Sequence, residues 1–497
     1  MINRLQTAQR AVSLAKKAAP KPPPAPKRNL AAIGMRAGGV AVVFLTACGA
    51  FRWTVLPLGE QAERAAAAAQ ETAFALPVAK RPLPNVSVIA PLPKVLEYAF
   101  NASGAIEAAY CDWRAALARV PQAGALEDPR LDFTFMFDSD NLGAFRAALD
   151  SFRLMASQDL PAVDKRDARA AQALAEAQAA GERFRAAKYA LQRRVVQAYA
   201  DLALNRDLIT QTSETLRLLE LSHEVAAHRY HQGGMTVLAD LRKIEVEIRT
   251  AESAQRALFL KAPGLVAALN GLLNRAIAEP VGRVEQPAPR GPLPSEAELL
   301  ARAAAGNPNL AALRRDIEAR GAALTLAELQ KKPDYVLAAG VEDPLIPALA
   351  AGMTLPINRA RIRAAIDEAL AMRQAAEARL RDARFDTQAR LIMALARLRD
   401  AERAHADFAG DILPKAQELL DAQLQTYRQG GGDLMDILDT KRLLVDFRKM
   451  ILQAQADRAA AMAEIEEIAG DDLFGYLPGS GAPSAAPAEP AGSPPHD

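Results

Sequence analysis

The residues whose types and spacing carry the clearest chemistry stand at 426–444, TYRQGGGDLMDILDTKRLL. Gly430, Gly431 and Gly432 free the chain from the φ limits of L side chains, so one helix can end and another begin within a few residues. Asp436 and Asp439 then fall one turn apart on one face of the second helix. Two carboxylates so placed attract cations. Together with Asp433 they also suit the positive end of a helix dipole, and the residues alone leave both readings open.

Other chemistry is sparse. His223, His228 and His231 approach a second glycine turn, RYHQGGMTVLADLRK at 229–243, which contains Gly233 and Gly234. His228 and His231 share a helical face, a spacing compatible with a metal, but no cysteine or paired carboxylate completes a site, and a solvated helix end is the expectation. No nucleophile–base pairing, phosphate-cradling loop or H-E-x-x-H pattern is present. The expectation is therefore a protein that is not an enzyme and needs no cofactor or metal.

The elements that must position these turns are long helices. Half of the 497 residues are apolar but only 5% are aromatic, which favours alanine-rich helical packing over ring-filled globular cores. Residues 162–230 contain no proline and a single glycine, and apolar residues recur at 4,3 spacing through Leu191, Val195, Leu202, Leu216 and Ala226. Such a helix runs on the order of 100 Å, so its seam has to pack on other long helices, and Leu191, Val195 and Leu202 are expected at contacts needed for assembly. A second long helix spans 358–428, with Pro414 expected to bend or restart it.

The two glycine turns belong to an internal repeat. Tyr230 aligns with Tyr427 and Gly233 with Gly430; upstream, Pro129 aligns with Pro333 and Pro161 with Pro356. Each half reads as helix, extended pair, very long helix, glycine turn and returning helix. The extended segments are LDFTFMF and SFRLMASQDL in the first half, DYVLAAGVE and ALAAGMTLPI in the second. Alternation is visible in the first, with Leu131, Phe133 and Phe135 opposite Asp132 and Thr134. Four strands are too few to close a barrel unless several chains contribute.

The ends read differently. Charged residues before position 37 are all basic and precede the apolar run AGGVAVVFLTA, which is too short to span a bilayer and has the length of a signal-peptide core. It ends in LTAC, which resembles a bacterial lipoprotein box with Cys48 as the lipidated residue. Met35 is a second candidate start. With two cysteines in all, a lipidated Cys48 leaves Cys111 without an intrachain partner. The expected organisation is a signal region at 1–47, a lipid-anchored tether at 48–91, repeats at 92–274 and 294–470 joined by a linker at 275–293, and a disordered tail at 471–497. A net charge of +2, with both signs interspersed, gives no case for a nucleic-acid partner.

The duplicated order, the NPNL of 307–310, the ILPKA of 412–416 and the two Y-x-Q-G-G turns resemble the TolC-family outer membrane factors over about residues 92–470. The SQDLPAVDK and GMTLPINRARIRAAI segments are most similar to the heavy-metal-efflux branch. The resemblance implies a mainly α fold: long coiled-coil hairpins forming a trimeric α-barrel, and four strands per chain, here short, in a shared β-barrel. It implies a homotrimeric, passive exit duct in the outer membrane for small solutes or metal ions, served by a periplasmic adaptor and an inner-membrane transporter. A type I protein-secretion duct and a non-conducting periplasmic scaffold are the alternatives. The glycine turns would be the periplasmic tips. Asp436 and Asp439 match the family's acidic residues facing the pore, so a trimer would hold two stacked carboxylate rings acting as gate and charge filter. Ala239 and Arg242 stand at the equivalent positions of the first repeat, which makes Arg242 or Lys243 the expected partners of the ring.

Overall fold

With no proline to remove a ladder hydrogen bond, the segment after the first strand pair runs as one helix of 69 residues, Val163–His231. The structure is a computed structural model describing residues 54–74, 76–135, 152–231, 238–287, 294–342, 346–429, 431–432 and 434–473. It divides into a helical unit and a smaller strand unit made of 126–162 and 333–355.

The helical unit contains α1 (Glu60–Phe74), α2 (Leu92–Ala102), α3 (Gly104–Gly124), α4 (Val163–His231), α5 (Leu238–Leu272), α6 (Glu296–Gly306), α7 (Pro308–Leu329), α8 (Arg359–Asp407), α9 (Leu413–Arg428) and α10 (Leu434–Ala469). The order of elements in the first half repeats in the second. The repeat differs where Pro414 stands. There α8 ends at Asp407, the backbone widens into a π-turn over Phe408–Ile412, and α9 begins with Pro414 in its first turn. Leu413 N–H reaches back to Phe408 O, so the extra residue makes room for a ring that would otherwise clash one turn earlier.

α4 packs against α3, α5, α7 and α10. Leu191, Val195 and Leu202 are buried in the largest core cluster of this single chain, together with Leu391, Leu395 and Leu398 of α8 and Ile465 and Ile468 of α10. The seam read from the periodicity is thus satisfied, at these positions, by helices of the same subunit. Around it the contacts are polar: the fully buried Glu466 accepts from Gln192 Nε2 at 2.7 Å, Arg397 pairs with Glu464 at 2.8 Å, and Arg193 pairs with Glu467.

Two segments assigned to a tether and a linker are folded from Thr54 and up to Gln286. In α1, Ala67 is buried and Glu63 Oε1 accepts from Trp113 Nε1 at 3.0 Å. Trp113, Tyr110, Phe74 and Phe184 form a ring cluster with centroids 4.9–6.4 Å apart. Further on, residues 86–90 run alongside 282–285: Gly282 N–H donates to Val86 O at 2.9 Å, Arg283 N–H to Val88 O at 3.2 Å, and Ala90 N–H to Arg283 O at 3.1 Å. A Cβ at Gly282 would lie 2.4 Å from Val88 C, so the close backbone approach requires glycine. Proline and alanine make these stretches look like linkers, yet an extended chain can be fixed through its backbone alone. Cys48 and Gly233, Gly234 and Gly430 lie outside the described residues, as do Met136 and Phe137 of the first extended segment, the stretch DSDNLGAFRAALD at 138–150, whose sequence looks helical, and the tail beyond 473.

The strand unit is one antiparallel sheet in the order β1 (Arg130–Phe135), β2 (Phe152–Leu160), β3 (Asp334–Glu342), β4 (Ile346–Thr354). Each of the four sequence segments overlaps a strand, and β4 is shifted: it starts at Ile346, two residues before ALAAGMTLPI, and ends at Thr354, before the LPI. Pro347 pairs in register with Val341, which an edge strand tolerates when the missing N–H points away from its neighbour. Gly340 is needed for the pairing, since a Cβ there would lie 2.0 Å from Leu154 O. Among the described residues the outer edges of β1 and β4 have no strand beside them.

Candidate functional site

The second glycine turn closes in the expected manner. At the end of α9 the carbonyl of Thr426 accepts from both Gln429 N–H and Gly431 N–H at 3.1 Å, and Gly432 takes φ +80°, a value that L side chains rarely adopt. α10 then starts at Leu434, placing Asp436 in its first turn and Asp439 one turn on. Both are exposed. Asp436 has no ion-pair partner among the described residues.

The hairpin α4–α5 lies beside the hairpin α9–α10 here. Met435 packs with Ala226 of α4 and Leu241 and Ile244 of α5 in a small buried cluster. Two ion pairs cross the same junction, Lys243 to Asp439 at 3.8 Å and Arg442 to Glu247 at 3.1 Å. The Lys243–Asp439 pair is largely exposed and is worth under about 1 kcal/mol in one chain.

Of the two cations put forward as partners of the carboxylates, the structure brings Lys243 to Asp439 and turns Arg242 elsewhere. Arg242 bonds Glu245 of its own helix at 2.6 Å. That bond holds the Glu245 carboxyl below its ordinary range, with His223, 3.5 Å away, adding to the effect. His228 and His231 are exposed. Among the described residues no three His, Cys, Asp or Glu side chains stand close enough to hold a metal ion. The Arg442–Glu247 bridge was not anticipated; its sequence signal is only that Arg442 and Asp439 lie three residues apart facing the other hairpin.

No helix among the described residues is long and apolar enough to cross a membrane.

Comparison with known proteins agrees with this architecture. Residues 95–272 match the family model of outer membrane efflux proteins. No curated protein matches the sequence. Among solved structures, the chain is similar to the outer membrane protein VceC of Vibrio cholerae, with 17% identity, TM-score 0.62, and 76% of this chain and 96% of that one covered. It is likewise similar to the open-state MtrE outer membrane channel of Neisseria gonorrhoeae (18%, TM-score 0.64, 77% and 89% covered). The CmeC outer membrane channel of Campylobacter jejuni aligns at 14% identity with TM-score 0.62 over 76% of this chain and 85% of that one. Mostly helical with one four-stranded antiparallel sheet, the chain has the fold of the TolC-like channels, and its first repeat is similar to the outer membrane efflux protein family.

Proposed function

We propose that three copies of this chain form the exit duct of a tripartite efflux system, with an adaptor protein meeting the helical tips and an inner-membrane pump supplying small solutes or metal ions. The observation that supports this reading is the sheet whose two edges are open among the described residues. Unpaired edges invite association, and a sheet whose β1 edge receives the β4 edge of the next copy is closed by three chains into twelve strands. β2, β3 and β4 have nine residues each, the lower limit for a tilted membrane-crossing strand. Leu131, Phe133, Leu349 and Met353 are exposed apolar side chains of the kind a lipid-facing surface needs.

Planar-bilayer recording of the purified full-length protein tests this. Discrete conductance steps are expected; a protein that inserts into vesicles yet never conducts would be a scaffold and not a duct.

Short strands give a reason for a second attachment. Cys48, behind a basic and apolar leader, is proposed to carry a diacylglycerol and to become the mature N-terminus. Mass spectrometry of the membrane-extracted protein should find the chain beginning at a diacylated Cys48. An unmodified N-terminus upstream of residue 48 rules the anchor out.

A further inference from the structure

Between the two helix pairs, set back from the tips, lies a cavity of about 380 Å³ enclosed by α4, α5, α9 and α10. Its volume lies within the range of small-molecule sites, and much of its wall is apolar, with Leu219, Ala251, Ala254 and Leu438 contributing. The charge around it is unbalanced: five cationic side chains face three carboxylates. The carboxylates are all engaged, Asp439 with Lys243 at 3.8 Å, Glu247 with Arg442 at 3.1 Å and Asp446 with Lys449 at 3.4 Å. Lys441 and Arg448 are left with no acidic partner among the described residues.

These two cations are seven residues apart on α10, hence on the same face and about 10 Å from each other along the axis. Both are only partly exposed. Burial holds the Lys441 ammonium below its ordinary range, and no carboxylate offsets it. An ammonium kept half out of water without a counter-ion costs stability, and an anion entering the cavity would remove that cost.

We propose that this cavity is a binding site for a small amphiphilic anion, an apolar body with one carboxylate or sulfonate head, whose head lies between Lys441 and Arg448. Such a ligand touches both hairpins at once. Its occupancy therefore favours one spacing of the α4–α5 and α9–α10 pairs over others. The site is independent of whether the assembled protein conducts.

The test is calorimetric titration of the full-length protein, held in an amphipathic polymer, with 2-naphthoate and with its neutral isostere 2-naphthamide. The expected result is one naphthoate per chain, with the amide at least about tenfold weaker, as for loss of a charge-assisted contact. Lys441→Met should weaken naphthoate about tenfold or more. Ala251→Phe, which fills the space, should abolish binding, whereas Lys415→Met, exposed on α9 and paired with Asp411, should leave it unchanged. Ligand-free Lys441→Met should melt at or above the wild-type temperature, because it removes an uncompensated charge; this readout holds even if Ala251→Phe fails to fold. Absence of saturable naphthoate binding, equal affinity for the amide, an unchanged affinity in Lys441→Met, or a lower melting temperature for that variant overturns the proposal.

Discussion

Leu202→Asp is expected to remove the folded subunit itself and not only its assembly, because Leu202 is 1% exposed in the single chain and packs in the main core cluster. A carboxylate there would stand inside that buried apolar cluster. The combined loss of apolar burial and addition of a buried charge is on the order of 3–5 kcal/mol, enough to unfold a marginally stable unit. Accumulation as protease-sensitive material, with loss of the helical circular-dichroism transition, is the expected readout. Association is better probed where apolar side chains are exposed in one chain. Phe385, at 72% exposure on α8, with Ile392 and Met393, is such a site. Phe385→Asp should preserve the helical signal and yield monomers on size-exclusion chromatography. A Leu202→Asp protein with wild-type thermal stability would mean that the α4 core is wrongly described.

Long-range order was legible in the sequence wherever one physical signal dominated. Absence of proline and 4,3 periodicity identify α4 to within a residue or two at each end, and Pro414 marks the break before α9. The strand segments were legible through their bounding prolines and short length. Periodicity cannot, however, say whether a buried stripe faces its own chain or another copy, and Leu191, Val195 and Leu202 show the consequence. Composition misled at 54–91 and 275–286, since backbone pairing of 86–90 with 282–285 needs no particular side chains apart from Gly282. At the site, the glycine turn and both exposed carboxylates were readable from spacing. The choice between Arg242 and Lys243 was not: adjacent helical residues point about 100° apart, and only the packing of α5 on α10 decides which reaches Asp439. The unmatched pair Lys441 and Arg448 was hidden for the same reason, because their lack of a counter-ion depends on which acids the neighbouring helices present.

Replacing both Asp436 and Asp439 by Asn is expected to weaken cation preference without altering the fold. Each side chain is exposed at the start of α10, and the amide keeps the shape of the carboxylate while removing its charge. In a trimer built as proposed, six carboxylates lie around one axis. A narrow aperture bounded by low-dielectric walls concentrates their field, and like-charged clefts raise local counter-ion concentration by about 10 to 10³-fold. Loss of both rings should then lower the cation-to-anion permeability ratio by about tenfold, at the modest end of that range, and the difference should shrink as salt rises and screening shortens. Lys243 enters the same argument with the opposite sign. Its ammonium, 3.8 Å from Asp439, ties the second hairpin to the first across the junction at the tips, so Lys243→Ala should open the aperture more readily, whereas Arg242→Ala, which removes a bond to Glu245 on the same helix, should have little effect. Reversal potentials in a salt gradient measure the first effect and baseline conductance the second. Identical reversal potentials for the wild type and the double Asn protein would assign Asp436 and Asp439 to helix initiation alone, where their charge complements the positive end of the α10 dipole and does nothing for ions in transit.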